Sequence, residues 1–178
     1  TYGADAIQVL SENPYRLARD VRGIGFKTAD TIAARLGIEK TAMIRARAGI
    51  GFTLTEAMDD GHCGLPLDEL VPRAEQLLEI PASIVEQALD LELEAGEVVA
   101  DEVDGRRCIF LAGLHRAERA IADRLGALQG DALPWPRIDP AKAVPWVEAR
   151  IGITLAESQR AALRLALASK VLVITGGP

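Results

Sequence analysis

Apolar residues in the first third of the chain recur at three- and four-residue spacing, and glycines interrupt the pattern. A short helix over 13–20 begins with an Asn-Pro pair, in which the Asn caps the helix and the Pro occupies its first turn. Gly23 and Gly25 follow and make continued helix costly. A second helix over 27–36 has one apolar stripe and ends at Gly37. The pattern predicts a helix, a tight glycine-rich turn and a second helix.

The middle of the chain has three more helical patterns: 41–58 with Thr41 as its cap, 69–78, and 83–95. Two runs of alternating apolar and polar residues, 97–100 and 108–111, then flank Asp104-Gly105, which predicts a β-hairpin. Two helices followed by a hairpin are typical of a small winged-helix-like unit.

The last third begins with an amphipathic helix over 115–128, followed by a segment that is rich in proline. A capping box at Thr154–Glu157 then opens a helix to about residue 168, and an apolar run over 170–175 predicts a buried strand. Helix, strand and glycine-rich turn are the order in which a parallel α/β nucleotide-binding domain begins.

These patterns predict a mainly α fold with four regions. We expect a helix-hairpin-helix bundle over 1–61, a small winged-helix-like unit with one β-hairpin over 62–130, a Pro-containing linker over 131–153, and the truncated start of an α/β P-loop motor domain over 154–178.

Composition supports a folded, helical chain and restricts where nucleic acid can bind. The 178 residues are 49% hydrophobic and only 4% aromatic, so the core should be aliphatic. The net charge is −6, but basic residues concentrate in the first 50 positions and acidic residues over 56–104. We therefore expect DNA contact in the N-terminal third.

The sequence shows no secretion signal and no apolar run long enough for a membrane span, which predicts a cytoplasmic protein with no membrane partner.

No residue pattern predicts a metal site or a catalytic centre. Cys63 and Cys108 lie far apart with no CxxC pair, and we expect two buried thiols. His62 and His115 lack the spacing of metal ligands, and no Ser/His/Asp set or carboxylate pair stands out. The tryptophans beside the linker, Trp135 and Trp146, favour packing at a domain interface.

The glycine-rich turn is the best candidate for a binding site. Two glycines spaced by one apolar residue leave backbone N–H groups unobstructed, and the N-terminus of the next helix points the same way. This arrangement suits a DNA phosphate, with candidate contacts at Arg22, Gly23, Ile24, Gly25, Lys27 and Thr28.

Three other interpretations compete for the same turn. A dinucleotide fingerprint needs a third glycine where Thr28 stands, and a Walker loop needs the contiguous Gly-Lys-Thr that Phe26 interrupts. A glycine-rich corner between helices, with no ligand, remains open.

The hairpin at 104–105 offers Arg106 and Arg107, but the helix before it is acidic, which favours a packing or protein-contact role for that unit.

The C-terminal residues suggest a second candidate site, for ATP. Gln159 carries an amide that can both donate to and accept from an adenine edge, although a solvated helix residue is an equally good interpretation. The apolar run ends in Gly176, Gly177 and Pro178, where a phosphate loop would begin.

Taken jointly, these motifs resemble the RecD-like ATP-dependent DNA helicases of superfamily 1, which are similar to the exodeoxyribonuclease V alpha subunit. The resemblance rests on motifs spread over nearly the whole chain: Asn13–Leu17, Gly23–Asp30, Gly61-His62, Glu118–Ala122, Ser158-Gln159-Arg160 with Ala162, and Val173–Pro178.

The resemblance implies an N-terminal fragment of a helicase that moves 5′-to-3′ on single-stranded DNA in recombination or repair, and that ends inside its Walker A loop. It implies that Gln159 contacts adenine and that Gly176 opens the phosphate loop. ATP and Mg²⁺ are then cofactors of the full-length parent, and neither is expected on this fragment, which should be inactive alone. The alternative is a stand-alone DNA-binding or scaffolding module without ATPase activity.

Overall fold

The computed structural model describes residues 13–21, 23–130 and 132–176. Its helices are α1 (Arg16–Asp20), α2 (Phe26–Arg35), α3 (Met43–Asp59), α4 (Leu67–Leu78), α5 (Ala82–Glu94), α6 (Ala112–Gly130), α7 (Pro140–Ile151) and α8 (Glu157–Ala168). Its strands are β1 (Gly64–Pro66), β2 (Val98–Val103) and β3 (Arg106–Leu111). The predicted mainly helical fold with a small antiparallel β-hairpin is confirmed.

The helix-turn-helix segment forms close to the predicted bounds. Helix α2 begins at Phe26, one residue before the prediction, and Gly37 follows it with a φ of +84°, the left-handed conformation expected of a closing glycine. An aromatic stack fixes the segment to the rest of the fold, because the Phe26 ring lies 5.6 Å from that of Tyr15 and 5.0 Å from that of Phe52 in α3.

The next elements run α3, β1, α4, α5, β2, β3, which is the order of a winged-helix unit. The sheet is antiparallel with strand order β1-β3-β2. Its hairpin turns at Asp104 and Gly105, both with positive φ, as predicted from the Asp-Gly pair. Strand β1 was not predicted, because three residues are too few to show an alternating pattern. The core between helices and sheet includes Ile50, Leu65, Leu70 and Ile109.

Contacts divide the chain into two compact units, residues 1–117 and 118–178. The second unit contains α7 and α8, which are joined through Glu148. Its Oε1 accepts from the backbone N–H of Leu155 at 2.7 Å and from Nη2 of Arg160 at 2.9 Å. The four predicted regions and their boundaries stay a prediction.

The structure corrects several expectations in this unit and elsewhere. Helix α7, which the sequence patterns did not predict, starts at Pro140 with the Asp139 side chain accepting from the N–H of Ala141. Residues 170–175 form no strand, since no neighbouring strand within the described residues pairs with them. Thr154 and Thr41 do not cap helices, because α8 and α3 begin after Ala156 and Ala42.

The structure also places the cysteines. Cys108 is buried in β3, as expected, but Cys63 is exposed in the turn before β1, so the expectation of a buried thiol is wrong there. Among the described residues, no group of His, Cys, Asp and Glu side chains is arranged to hold a metal ion. In the same part of the chain, no helix is both long enough and apolar enough to cross a membrane.

Candidate nucleic-acid interface

The turn between α1 and α2 has two glycines in different conformations. Gly23 has a φ of +92°, which an L side chain rarely adopts, so a glycine is needed there for backbone reasons. Gly25 has a φ of −88° and is the N-cap of α2. A Cβ atom added at either position would meet nothing within 4 Å. Neither the backbone conformation nor internal packing therefore requires a glycine at position 25.

The N-terminus of α2 presents backbone donors beside this open space. The first helical bonds are donated by Thr28 and Ala29 to the carbonyl of Gly25, so the N–H groups of Phe26 and Lys27 precede them. Gly25 has no side chain with which to cap these groups. The side chains of Lys27 and Thr28 are exposed, whereas Ile24 is half-buried beneath the turn. Arg22, the remaining candidate contact, lies outside the described residues.

A buried polar network holds α2 in place. Arg45 of α3 is only 8% exposed, and its Nε and Nη2 donate to the two carboxylate oxygens of Asp30 in α2, at 2.8 and 2.9 Å. Its Nη1 donates to the carbonyls of Lys40 and Leu78, at 2.9 and 2.8 Å. The Tyr15 hydroxyl donates to Asp30 as well, at 2.7 Å. One guanidinium thus joins α2, the following loop and the end of α4.

The network shifts the ionisation of its members. Burial raises the pKa of the Tyr15 phenol above its ordinary value, and the bond to Asp30 adds to the effect. Burial acts to raise the pKa of Asp30 too, but hydrogen bonds from Arg45 and Tyr15 outweigh it and hold that pKa below the ordinary value. The bond to Asp30 raises the pKa of Arg45. Asp30 and Arg45 are therefore an ion pair and Tyr15 is neutral near pH 7.

Sequence reasoning missed this network, although one signal was present. The buried residues of α3 include Ala46, Gly49 and Ile50, and the same helical stripe includes Arg45. A charged residue in phase with a buried stripe indicates a buried partner of opposite charge.

An open groove of about 550 Å³ begins at Lys27 and runs along α3 and α4. Its lining is mixed in charge: Lys27, Thr53, Glu56, Asp59, Asp60, Arg73, Gln76 and Leu77. The three carboxylates at the end of α3 reduce the positive potential around Lys27, so this lysine alone cannot give the turn a strongly basic surface.

A known protein family matches the segment that contains this turn. Residues 1–64 match the family described as the ATP-dependent RecD2 DNA helicase HHH domain. The matched residues contain the glycine-rich turn, α1, α2 and α3. The match supports a RecD2-type helicase N-terminal region in this part of the chain, and it confirms the helix-hairpin-helix prediction.

The hairpin of the winged unit, which follows the matched residues, carries the basic pair Arg106 and Arg107. Nη2 of Arg106 donates to Asp68 at 2.9 Å and to Glu69 at 3.1 Å, both in the first turn of α4. These bonds raise the pKa of Arg106. The exposed face of α5 carries Glu86 and Asp90, which repel phosphate. The wing is therefore less suited to DNA than the glycine-rich turn.

The candidate ATP residues do not form a phosphate cradle within the described part of the chain. Gln159 lies in the first turn of α8, and its Oε1 accepts from the N–H of Ala156 at 2.9 Å, so its carboxamide oxygen caps the helix. Gly176 is exposed and follows no strand. Gly177 and Pro178 lie outside the described residues. The described residues therefore do not fit ATP, and the assignment to adenine and phosphate stays a prediction.

Proposed function

We propose that this chain is the DNA-contacting N-terminal part of an ATP-dependent helicase, and that its glycine-rich turn binds the backbone of single-stranded DNA. The observation that carries the proposal is that the RecD2-type match covers a turn whose Gly25 has open space over it. Movement in the 5′-to-3′ direction, a role in recombination or repair, and ATP with Mg²⁺ in the full-length protein are further parts of the proposal.

The geometry of the turn supports backbone contact without sequence recognition. The N–H groups of Phe26 and Lys27 and the positive end of the α2 dipole can approach one phosphate. The exposed Thr28 hydroxyl can add a further hydrogen bond. None of these groups distinguishes one base edge from another, so binding should tolerate any sequence.

The charges around the turn predict weak binding. The carboxylates of Glu56, Asp59 and Asp60 share a groove with Lys27 and oppose the approach of phosphate. A contact with two or three phosphates gives a log-log salt slope of about −2 on single strands. Fluorescence anisotropy with a labelled oligonucleotide across a salt series measures both the affinity and this slope.

Replacement of Gly25 by Val is the sharpest test of the turn. Because Gly25 has a negative φ and open space above it, the β-branched side chain fits the fold and obstructs only an approaching ligand. We expect Gly25→Val to weaken DNA binding more than Lys27→Ala does, with circular dichroism unchanged. Gly23 is a poorer site for this test, since its positive φ would add backbone strain.

The double charge reversal Arg106→Glu, Arg107→Glu is the matched control on the wing. It should leave DNA affinity nearly unchanged, because Arg106 is already bound to Asp68 and Glu69. A folded Gly25→Val protein that binds like the parent, together with loss of binding in the wing variant, would show that the wing is the DNA site.

The second candidate function is a DNA-binding or scaffolding module without ATPase activity. The two candidates differ in the codons that come after Pro178 in the gene. A Gly-x-Gly-Lys-Thr/Ser continuation supports the helicase, because such a loop supplies the lysine and hydroxyl that hold the phosphates and Mg²⁺. A stop codon at that point favours the module.

A further inference from the structure

The outer face of α7 carries a tryptophan between two basic residues. Lys142, Trp146 and Arg150 are spaced four residues apart and all three are exposed. Side chains at this spacing lie on the same face of a helix, one turn above another. The indole of Trp146 is 64% exposed, a large apolar surface for a single side chain.

The two tryptophans of the chain differ in their exposure and in their contacts. Trp135 is half-buried, and its Nε1 donates to the carbonyl of Leu167 at 3.3 Å. Trp146 is mostly exposed, and packing of either tryptophan at a domain interface stays a prediction. The Arg150 guanidinium lies over its ring, with Cζ 5.9 Å from the ring centroid. Within the described residues, packing does not account for a tryptophan at position 146.

The acidic residues nearest to this face are engaged elsewhere. Asp139 caps the N-terminus of α7 through the N–H of Ala141. Glu148 accepts from the N–H of Leu155 and from the Arg160 guanidinium. Lys142 and Arg150 are therefore the charged residues that flank Trp146 on this stripe, and the stripe complements an anionic partner that also presents flat apolar groups.

We propose that Lys142, Trp146 and Arg150 form a second contact for single-stranded DNA, in which one base stacks on the indole and the two cations bind phosphates on either side of that nucleotide. The proposal rests on the proposed DNA-binding function and extends it to α7. An exposed aromatic ring flanked by cations is suited to single strands, because every base has a π-face and no sequence is required.

The dimensions agree with a short run of nucleotides. Lys142 and Arg150 are eight positions apart along the helix, a rise of about 12 Å. At the roughly 3.4 Å rise of a stacked strand, this distance corresponds to about three nucleotides. Single-stranded DNA exposes its bases for stacking, whereas a duplex covers both faces of each base.

Intrinsic fluorescence gives a direct readout at Trp146. In the full chain with Trp135→Phe, Trp146 is the single remaining tryptophan, because the sequence has only 2. Titration with an oligothymidylate should quench this fluorescence as a base stacks on the ring. Circular dichroism checks that Trp135→Phe leaves the fold intact, and anisotropy on the chain with both tryptophans supplies a measurement that does not depend on that substitution.

Substitutions in the stripe, with DNA affinity measured for each variant, complete the test. Trp146→Ala should weaken binding about ten-fold, the order expected for one stacked base, and Trp146→Phe should restore part of the loss. Lys142→Gln with Arg150→Gln should make the salt slope shallower by about 1.4, for two phosphates at roughly 0.7 each. Ile151→Ala is the matched control, because Ile151 is 52% exposed on the same helix but outside the stripe.

The outcomes separate this inference from the proposed function. Unchanged Trp146 fluorescence and unchanged affinity of Trp146→Ala, with DNA still bound through Gly25, would overturn the α7 contact and leave the turn intact. Quenching that persists in Gly25→Val would support α7 even if the turn were wrong. Absence of any DNA binding by anisotropy would overturn both. A Trp146→Ala variant that alters self-association and not DNA binding would identify a protein partner and overturn the inference.

Discussion

In the unit over 1–117, Ile50, Leu70 and Ile109 are completely buried, whereas in the unit over 118–178 the single buried hydrophobic residue among those described is Val144. The second unit leaves Trp146, Leu165 and other large apolar side chains exposed. Polar contacts to Glu148 connect its two final helices. Because buried apolar area is the dominant source of stability, the first unit should be much the more stable.

This contrast bears on function. The glycine-rich turn belongs to the unit with a core, where the Asp30–Arg45 pair fixes the orientation of α2. The α7 stripe belongs to the unit that buries little. A contact built on a rigid frame binds without prior ordering, whereas one on a weakly packed helix loses part of its binding free energy to ordering. We therefore expect the turn to set where DNA binds and α7 to add affinity.

The largest expected effect comes from Arg45→Ala. The substitution leaves the Asp30 carboxylate and two backbone carbonyls without their buried donor, and removal of one partner from such a pair costs about 3–5 kcal/mol in the free energy of unfolding. Urea unfolding followed by circular dichroism measures the loss. Both tryptophans lie beyond residue 117, so their fluorescence follows the second unit and should change less.

Lys40→Ala is the control for this substitution. Lys40 forms an ion pair with Glu79, but their side chains are 71% and 73% exposed, so the pair should add little to stability. Equal urea midpoints for Arg45→Ala and Lys40→Ala would contradict the assigned role of the buried network.

A smaller effect is expected from two glycines of α3 that differ only in surroundings. A Cβ at Gly49 would lie 2.5 Å from Cδ2 of the buried Leu78, while one at Gly51 would meet nothing within 4 Å. Gly49→Ala should therefore destabilise the first unit by about 1–3 kcal/mol through overpacking. Gly51→Ala should be neutral or stabilise it by up to about 1 kcal/mol, since alanine favours helix. Thermal melts compare the two variants. Equal melting temperatures would show that the side chains around Leu78 rearrange to accommodate the added methyl group.

The same contrast explains what the sequence could predict. Helices α2 to α5 were found within a few residues because each buries one apolar stripe, and the Asp-Gly pair predicted the β2–β3 turn. In the second unit, where little is buried, α8 was predicted to within a few residues, but α7 was missed and the strand expected over 170–175 did not form. Prolines were interpreted there as a linker, yet Asp139 and Pro140 are an N-cap and a first helical residue.

The candidate site could be predicted only in part. Glycines spaced by one residue identify a turn, but the conformations of Gly23 and Gly25 differ, and only the structure shows which one the backbone requires. The Asp30–Arg45 pair joins residues 15 positions apart, and its formation depends on how α2 packs on α3. The exposure of Trp146 likewise depends on tertiary packing and not on its own neighbours in sequence.

The smallest expected effect is the loss of stability in acid, which should begin at a different pH in each of the two units. Hydrogen bonds from the N–H of Leu155 and from Arg160 hold the pKa of Glu148 below its ordinary value of 4.5. Bonds from Arg45 and Tyr15, acting against burial, hold the pKa of Asp30 below its ordinary value of 3.8. A lowered pKa means that the folded state favours the carboxylate more than the unfolded chain does. Its contribution is therefore complete above the ordinary pKa and is lost as pH falls through the lowered one.

Stability of the second unit should accordingly begin to fall below pH 4.5 as Glu148 protonates, and that of the first unit below pH 3.8 as Asp30 protonates. Urea midpoints from tryptophan fluorescence and from circular dichroism, measured at a series of acid pH values, follow the two units. Other carboxylates titrate in the same range. The informative quantity is therefore the slope of urea midpoint against pH, compared between each variant and the parent. Glu148→Gln should flatten the fluorescence slope, and Asp30→Asn should flatten the circular dichroism slope and leave the fluorescence slope unchanged, because each removes one titrating group from one unit. If either variant changed both slopes equally, the two units would share one cooperative transition, and the contrast in their packing would not translate into separate stabilities.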